Sequence, residues 1–290
     1  MTIATKNRII DSVNFALILL ISFLCLAPFL HILAISLSSN NPIMSGKVLL
    51  WPIEVSFEAY SKVFEDQSMY RSMVFTVALT LLYTLISMAM TIAAAYPLMR
   101  TDLRGRKLFM FIIVVTMFFS GGIIPEYILI KNLHLTNSMW SLILPVMINP
   151  FYLIIMITFF QSIPRSLEES AEMDGCSHIG TLSKIIVPLS LPVIATLSLF
   201  YAVNRWNGFM DSLFYITSPE YYPLQLKLYQ LIVNNMANDL LQMEGTRMVQ
   251  LLPESLKAAS VMFATVPILL VYPWLQRYFV SGIMLGAVKG

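Results

Sequence analysis

The chain has 290 residues, of which 58% are hydrophobic and only 12% are charged, and its formal net charge is +2. A soluble domain carries roughly twice this fraction of charged residues. The composition therefore excludes an ordinary soluble domain, and the near-neutral charge gives no argument for binding to nucleic acid.

Six long stretches contain no Asp, Glu, Lys or Arg. They are residues 12–46, 72–99, 108–125, 132–164, 185–204 and 258–276. A helix needs ~20 mostly apolar residues to cross a bilayer, and each stretch reaches or approaches that length. Buried helices of a soluble protein would keep a polar face, which these stretches lack. The sequence predicts an all-α integral membrane protein with one domain over 1–290. The predicted spans are about 13–37, 72–98, 108–130, 138–160, 191–215 and 258–280.

The first span could be mistaken for a signal peptide, because Lys6 and Arg8 precede it. Its apolar stretch is longer than the ~7–15 residues of a signal-peptide core, so we predict a retained anchor. The short loop 100–107 has four basic residues and one acid, and short basic loops stay in the cytoplasm. The predicted cytoplasmic parts are the N-terminus, 100–107, 161–190 and the C-terminus. The predicted outer loops are about 38–69, 131–137 and 217–256.

The side chains that could support catalysis or metal binding are scattered. Cys25 lies in the first span and Cys176 in a cytoplasmic loop. A disulfide between them is implausible, because they lie at different depths relative to the membrane. His31, His134 and His178 lie far apart along the chain and at different predicted levels. The sequence has no metal-ligand spacing, glycine-rich phosphate loop or nucleophile motif. We predict no catalytic residues, no metal site and no enzymatic activity.

Loop 161–190 is the largest predicted cytoplasmic loop, and it carries a polar segment between apolar spans. Four acids lie within seven residues, at Glu168, Glu169, Glu172 and Asp174. The dipole of a helix favours acids near its start, and we predict a short helix over 167–173. A simple connector would be shorter, because connecting loops have a median length of ~4–6 residues.

A second helix is predicted directly after this first one. Gly175 is placed to end the first helix in a left-handed conformation, and Ser177 can cap a helix that runs toward Val187. Pro188 and Pro192 then mark the return into the membrane, since proline is tolerated in a first helical turn. The pattern predicts a helix–glycine–helix elbow that another protein can grip.

One spacing within this elbow resembles the "EAA" motif of ABC importer permeases. That motif reads Glu-Ala-Ala, three residues, Gly, nine residues, Ile-x-Leu-Pro, and here Ser replaces the first alanine and Val the leucine. The matching residues are Glu169, Ser170, Ala171, Gly175, Ile185, Val187 and Pro188. The resemblance implies a coupling helix that inserts into a cleft on a separate ATPase. The implied ATPase-coupling residues are Glu168, Glu169, Ser170, Ala171, Asp174, Gly175, Ile185 and Pro188.

Two longer stretches, residues 118–145 and 272–290, are similar to carbohydrate-uptake permeases, in particular to the second membrane subunit of the maltose importer and its complex-oligosaccharide subgroup. The similarity implies a multi-pass subunit of the bacterial cell membrane in an ATP-driven importer of a sugar, expected to be an oligosaccharide. The implied partners are a homologous second permease, two copies of an ATP-binding subunit and an extracytoplasmic sugar-binding protein. ATP and Mg would be bound by the ATPase, and no cofactor by this chain.

The C-terminal tail after Arg277 is rich in small residues, and a frayed terminus is the default for the end of a chain. In the subunits that the chain resembles, the tail reaches between the two ATPases, where glycine permits close backbone approach. We prefer this second interpretation, which assigns ATPase contacts to Gly286, Lys289 and Gly290.

The transport path must be formed by polar groups inside the spans, which usually face a cavity. Asn204, Asn207 and Asp211 recur at i, i+3 and i+7, so they are expected on one helical face. Trp206 offers a ring that could stack on a sugar. The competing interpretation is that this segment lies near the outer surface and meets lipid headgroups.

The fourth span adds Asn149 and Tyr152 to the predicted path. Pro145 and Pro150 are expected to break the helix there and to free backbone carbonyls, which is tolerated where a cavity is lined. Gly121 and Gly122 in the third span could act in the same way. For these glycines we prefer close helix packing, since small residues favour it.

Two other classes of function compete with the importer subunit. An ion-coupled secondary transporter is the main alternative, and it would show internal repeats and charged residues near the midplane. A membrane enzyme would need a catalytic cluster at one interface. The sequence shows neither feature, and the spacing of Glu169, Gly175 and Pro188 favours the importer subunit over both.

Overall fold

The computed structural model describes residues 3–243 and 253–287, with side chains described over 10–233 and 253–271. In chain order the α-helices are α1 (Ile3–Ser36), α2 (Asn40–Met44), α3 (Glu58–Glu65), α4 (Gln67–Met99), α5 (Arg106–Phe118), α6 (Ile123–Asn132), α7 (Pro150–Ser162), α8 (Arg165–Met173), α9 (His178–Thr181), α10 (Val187–Leu189), α11 (Leu191–Asn207), α12 (Met210–Tyr215), α13 (Leu224–Met243) and α14 (Glu254–Ala287). Short 3₁₀ turns occupy Met139–Leu142, Leu144–Val146 and Pro219–Tyr221, and a π-helical turn occupies Leu182–Ile186. The prediction of an all-α fold is confirmed.

The described chain forms two compact units. The first comprises Met1–Tyr70 with Leu228–Pro267, and the second comprises Arg71–Lys227 with Ile268–Gly290. In the first unit, α3 packs against the beginning of α14, where the rings of Phe64 and Phe263 meet edge to face at 5.6 Å. The hydroxyl oxygen of Ser36, at the end of α1, lies 2.9 Å from that of Tyr60 in α3.

The core of the second unit lies where α4, α7 and α11 meet. Its largest side chains are at most 3% exposed, and they include Leu79, Tyr83, Met156, Phe160, Leu197 and Tyr201. Because lipid tails are as apolar as leucine, close packing and hydrogen bonds hold such a core together, and transfer out of water contributes little.

Three helical segments are long and apolar enough to cross a membrane, namely Ile10–Ser36, Gln67–Met99 and Glu254–Val271. Three further helix pairs pass the same criterion but are bent at a short break. Counted as one span each, these pairs bring the described chain to six spans, the number that the charge-free stretches predict. Only 6% of the most apolar part of α1 is buried within the chain, as expected for a helix with lipid or another subunit around it.

The third predicted span is broken by its glycines. Helices α5 and α6 meet at 113°, and Gly122 caps α6 with a φ of +86°. A Cβ atom added at Gly121 or Gly122 would meet nothing within 4 Å in the described structure. Our preference for close packing at these glycines was therefore wrong within this chain. The break needs Gly122 because only glycine adopts this backbone conformation without strain.

Alanine at Gly122 is expected to lower the stability of the protein by about 1 kcal/mol, because a side chain is disfavoured at positive φ even where space is free. Alanine at Gly121 is the matched control, since its φ lies outside that region, and it should change stability by less than about 0.5 kcal/mol. Thermal unfolding of both purified variants provides the comparison. Equal melting temperatures for the two would contradict this account of the break.

The fourth predicted span is broken at its prolines, as expected. The 3₁₀ segment Met139–Val146 and α7 meet at 53°. Pro150 provides no N–H for the carbonyl of Val146, and the hydroxyl of Tyr83 donates to that carbonyl instead, at 3.0 Å. The freed carbonyl is therefore satisfied by a buried side chain of α4.

The outer loop predicted at 217–256 is partly helical. Helix α13 begins at Leu224, inside this predicted loop. Asn137 fixes the start of this loop, because its side-chain oxygen accepts hydrogen bonds from the backbone N–H groups of Thr217 and Ser218, at 2.6 and 2.9 Å. The final helix α14 continues past the predicted span end at 280 and reaches Ala287.

Candidate functional site

The predicted elbow is present, and its first arm is α8. The chain turns at Gly175, whose φ of +77° lies in the left-handed region. Its N–H donates to the carbonyl of Glu172 at 3.0 Å, and the N–H of Cys176 donates to that of Ala171 at 2.9 Å. These two bonds form a Schellman motif with glycine at its left-handed position. The predicted role of Gly175 in ending the helix is confirmed.

The second arm begins at Ser177, as predicted. The Ser177 hydroxyl accepts a hydrogen bond from the N–H of Gly180 at 3.2 Å and so caps α9. The arm continues through the π-helical turn and α10, and it meets α11 at an angle of 82°. Pro188 and Pro192 both lie in first helical turns, which places the bend where the prolines indicated it.

The predicted coupling residues fall into an exposed set and a supporting set. Glu169, Ser170, Asp174, Gly175 and Pro188 are exposed, Glu168 and Ile185 are half-buried, and Ala171 is buried at 7% exposure. Two apolar side chains that the sequence analysis did not select flank the turn, Met173 at 87% and Ile179 at 80% exposure. The sequence indicates them only as apolar residues before and after Gly175, the glycine predicted to be left-handed. The elbow thus presents acids and apolar side chains together.

Arg100 joins loop 100–107 to both arms of the elbow. Its guanidinium donates to Glu168 at 3.2 Å and to Glu172 at 3.1 Å, and it lies 3.3 Å from Nδ1 of His178. Burial of the Arg100 guanidinium works against its charge, but its hydrogen bond to Glu172 and its contacts with Tyr96 and Glu168 raise its pKa above the ordinary value. The basic sequence of this loop predicted its orientation but not its contact with the elbow.

A cleft of about 500 Å³ lies between this loop and the elbow. Its walls carry three arginines, three glutamates and an aspartate, together with apolar and amide side chains. The lining residues are Met99, Arg100, Thr101, Asp102, Arg106, Phe160, Gln161, Ile163, Arg165, Glu168, Glu169 and Glu172. The end of α4 is tied to the cleft by Gln161, whose amide donates to the carbonyl of Met99 at 3.1 Å. The cleft is therefore rich in charge of both signs, and within it Arg100 pairs with Glu168 and Glu172.

The predicted face of three polar residues in the fifth span is not continuous. Helix α11 ends at Asn207, and the helical conformation is interrupted at Gly208. Asp211 lies in the separate helix α12. Asn204 and Asn207 are exposed, and the Asn207 amide donates to the carbonyl of Val203 at 2.9 Å. The assignment of Asp211 to this face was wrong, because the 3.6-residue period was carried across a helix break.

Asp211 instead pairs with Arg205, which is 4% exposed. The guanidinium nitrogens Nη1 and Nη2 of Arg205 donate to the carboxylate oxygens of Asp211 at 2.5 and 2.9 Å. Arg205 also donates to the carbonyls of Leu142 at 2.9 Å and Gly208 at 3.4 Å, and its guanidinium carbon lies 5.9 Å from the ring centre of Tyr83. One buried cation therefore links the 3₁₀ segment of the fourth span and the break of the fifth span to α4.

The other predicted path residues are placed differently from one another. Trp206 is 8% exposed, so its ring has too little free surface to stack on a sugar, and that assignment was wrong. Asn149 caps α7 by accepting hydrogen bonds from the N–H groups of Phe151 and Tyr152, at 2.9 and 3.2 Å. Tyr152 is half-buried, and its ring lies edge-on to Tyr201 with ring centres 4.8 Å apart.

Tyr201 is a further residue that the sequence analysis missed. It is fully buried; its hydroxyl lies 2.8 Å from the Thr91 hydroxyl and accepts the N–H of Asn149 at 3.1 Å. This contact ties α11 to α4 and to the start of α7. A tyrosine within a uniformly apolar stretch does not stand out in the helical periodicity. Its hydrogen-bond partners can therefore be identified only from the fold.

The remaining predictions concern cysteines and metal ligands. Cys25 and Cys176 are both free, and Cys25 is exposed. Over residues 3–243 and 253–287, the His, Cys, Asp and Glu side chains form no group of three or more that could hold a metal ion. Of the predicted ATPase contacts in the tail, Gly286 lies in α14, whereas Lys289 and Gly290 lie outside the described residues.

Known proteins resemble the chain over nearly its whole length. The family of binding-protein-dependent transport system inner membrane components matches residues 90–284. The polygalacturonan/rhamnogalacturonan transport system permease protein of Bacillus subtilis is 42% identical over 288 residues, covering 98% of this chain and 100% of the relative. The trehalose/maltose transport system permease protein of Thermococcus litoralis is 27% identical over 280 residues, covering 94% of each. In a crystal structure of a bacterial ABC transporter that imports the acidic polysaccharide alginate, one chain is 32% identical, with a TM-score of 0.85 and coverage of 94% and 98%.

Proposed function

The chain belongs to the family of binding-protein-dependent transport system inner membrane components, and on that premise we propose that it carries oligosaccharides inward as half of an importer's membrane path. The family consists of transport permeases, so the predictions of an ABC importer permease and of no enzymatic activity are confirmed. The ion-coupled secondary transporter is set aside for the same reason. The observation that carries the proposal is the elbow at Gly175, with its Schellman turn at the position of the coupling motif.

The substrate class that we propose is an oligosaccharide that contains uronic acids. Two relatives that cover nearly the whole chain support it, since their names specify polygalacturonan and rhamnogalacturonan in one case and alginate in the other. The sequence alone left the charge of the sugar open. Uptake assays with labelled oligogalacturonides and with neutral oligosaccharides of equal length would test this choice, and preference for the neutral sugars would contradict it.

The proposed assembly places this chain beside a homologous second permease, two copies of an ATP-binding subunit and an extracytoplasmic sugar-binding protein. ATP and Mg are bound by the ATPase. Residues 1–290 form one transmembrane domain with both termini, loop 100–107 and the elbow in the cytoplasm. The contacts between that loop and the elbow support this orientation, because they require both segments to lie on the same side. The tail residues Gly286, Lys289 and Gly290 complete the proposed contacts with the ATPases.

The proposed sugar path includes fewer residues of this chain than the sequence predicted. Asn204 and Asn207 are exposed polar side chains in α11, and Tyr152 and Asn149 are half-buried near the start of α7. These four form one wall, and the second permease supplies the other. A sugar hydroxyl that exchanges water for such a group gains only ~0.5–1.5 kcal/mol per hydrogen bond, and weak contacts suit a carrier that must release its substrate.

The coupling role of the elbow is tested by substitutions at Gly175. Valine there is expected to lower ATP-driven uptake by roughly tenfold or more, because the left-handed backbone costs a branched residue at least ~1–2 kcal/mol and the two arms lose their angle. Asparagine is the matched control, since it tolerates the left-handed region and should retain most uptake. Membrane insertion should be normal for both variants.

The assay uses the full complex with its binding protein in proteoliposomes, and the isolated chain serves as a second control. Glu169→Lys should reduce uptake as Gly175→Val does, because Glu169 is exposed on the same arm. Normal uptake by Gly175→Val and Glu169→Lys together would show that the elbow does not couple the chain to an ATPase. ATP hydrolysis by the isolated chain would contradict the importer-subunit proposal itself.

A further inference from the structure

A short apolar segment between α2 and α3 is exposed in an alternating pattern. Leu49, Trp51 and Ile53 are 70%, 81% and 38% exposed, whereas Val48 between them and α2 is 4% exposed. The residues between them, Leu50 and Pro52, are half-buried, so exposed and covered side chains alternate through this bent segment. We call Leu49, Trp51 and Ile53 the apolar ridge.

A hydrogen bond fixes the level of this ridge along the first helix. Nδ1 of His31 in α1 donates to the carbonyl of Leu49 at 2.6 Å. His31 lies five residues before the end of α1 at Ser36, which is about 7–8 Å along the helix axis. The chain therefore leaves α1, passes through α2 and returns toward the body of the helix, and does not continue away from it.

The length of α1 places that level at the membrane interface. Its apolar part, Ile10–Ser36, has 27 residues and is about 40 Å long, whereas the hydrocarbon core is about 30 Å thick. A centred helix would project about 5 Å beyond the hydrocarbon at each end. The level of His31 then lies about 2–3 Å inside the edge of the hydrocarbon, where acyl chains meet headgroups.

The chemistry of the ridge matches this level. Tryptophan combines a large apolar body with one N–H donor and is enriched where hydrocarbon meets headgroups. Residues 48–53 carry no charge, and Lys47 and Glu54 flank them on either side. Two more aromatic side chains of the same unit, Phe57 and Tyr70, are 65% and 67% exposed. A soluble surface rarely exposes apolar side chains so closely together.

We propose that the apolar ridge is a lipid anchor, inserted at the headgroup–acyl boundary of the outer leaflet. The inference uses the proposed topology, in which the segment after α1 is external, but goes beyond the transport function. A soluble binding protein docks from above the membrane and does not reach below the outer end of α1. The bond from His31 to Leu49 therefore favours lipid over that partner as the occupant. The anchor would hold α1 at a fixed depth.

Electron paramagnetic resonance of a spin label at position 51 tests the anchor in the full complex, reconstituted in lipid nanodiscs. The label is attached to Trp51→Cys in a background without other reactive cysteines, which in this chain requires Cys25→Ala and Cys176→Ala. Accessibility to oxygen reports lipid, and accessibility to a water-soluble nickel chelate reports solvent. Ser45→Cys, an exposed polar position in the same unit, is the solvent control.

The expected result is high oxygen and low nickel accessibility at position 51, at a depth of about 5–10 Å from the headgroup surface, calibrated with spin-labelled lipids. Nickel accessibility equal to that at position 45 would overturn the anchor in favour of solvent. Low accessibility to both reagents would overturn it in favour of a protein partner. A label at Leu49→Cys replaces position 51 if that variant fails to assemble. Sugar uptake by the labelled complex separates a failure of the anchor from a failure of the transport function.

Discussion

Replacing Arg100 with alanine is expected to abolish coupled uptake while leaving the assembled complex and its basal ATP hydrolysis intact. Arg100 is the cation that lies between Glu168 and Glu172, and both ion pairs are 3.1–3.2 Å long. Its removal leaves two carboxylates of α8 facing each other and frees loop 100–107 from the elbow. The elbow would still dock on the ATPase, but its movement would no longer reach the end of α4.

The measurement compares uptake with ATP hydrolysis in the same proteoliposomes. Arg104→Ala is the matched control, because it removes an exposed arginine from the same loop. The Arg100 side chain is 29% exposed, so solvent partly screens its pairs with Glu168 and Glu172, and the Arg100 variant should fold and assemble. Arg100→Lys should restore uptake only in part, since an ammonium group lacks the planar fork that reaches two carboxylates and a histidine. Equal uptake by Arg100→Ala and Arg104→Ala would show that the loop has no part in coupling.

The elbow could be predicted from the sequence because local chemistry determines it. A left-handed turn after a helix needs glycine, a helix start needs a side-chain acceptor, and a bend tolerates proline in a first turn. Gly175, Ser177 and Pro188 meet these needs within 14 residues, and the structure places each one as expected. The positions of the apolar spans follow from a similarly local property, the absence of charge over about 20 residues.

The contacts of Arg100 and Arg205 could not be predicted, because each depends on segments that are distant in the sequence. Arg100 and Glu168 are 68 residues apart, and Arg205 and Leu142 are 63 residues apart. The basic loop around Arg100 gave a signal for orientation, which does not identify a partner. The helical period wrongly predicted that Asp211 shares a face with Asn204 and Asn207, because Gly208 interrupts the helix between them.

The interruption at Gly208 has a physical reason that only the structure reveals. A Cβ atom at this position would lie 2.7 Å from a guanidinium nitrogen of Arg205 and 3.3 Å from the carbonyl oxygen of Asn204. The missing side chain leaves room for the guanidinium to reach Asp211 in the next helix. The break, the buried arginine and the aspartate therefore form one unit, in which Asp211 provides the counter-charge of Arg205.

Replacing Asp211 with asparagine is expected to destabilise the chain by about 3–5 kcal/mol, the largest loss of stability among the changes considered. The substitution keeps the shape but leaves a guanidinium that is 4% exposed without its counter-charge. Removal of one partner of a buried ion pair costs about this much, because the remaining charge stays desolvated. The side chain of Asp211 is 25% exposed, which places the expected loss toward the lower end of that range. Thermal unfolding of the purified complex, together with its yield, provides the measurement.

The double variant Arg205→Met with Asp211→Asn distinguishes lost charge compensation from lost shape. It removes the buried charge, so it should be more stable than Asp211→Asn alone. It should remain less stable than the natural protein, because the carbonyls of Leu142 and Gly208 lose the guanidinium that donates to both of them. Asn204→Ala, an exposed change in the same helix, is the control and should unfold like the natural protein. If Asp211→Asn also unfolds like the natural protein, the pair does not hold the two broken spans together, and the polar face first expected at 204–211 would again be a candidate for the sugar path.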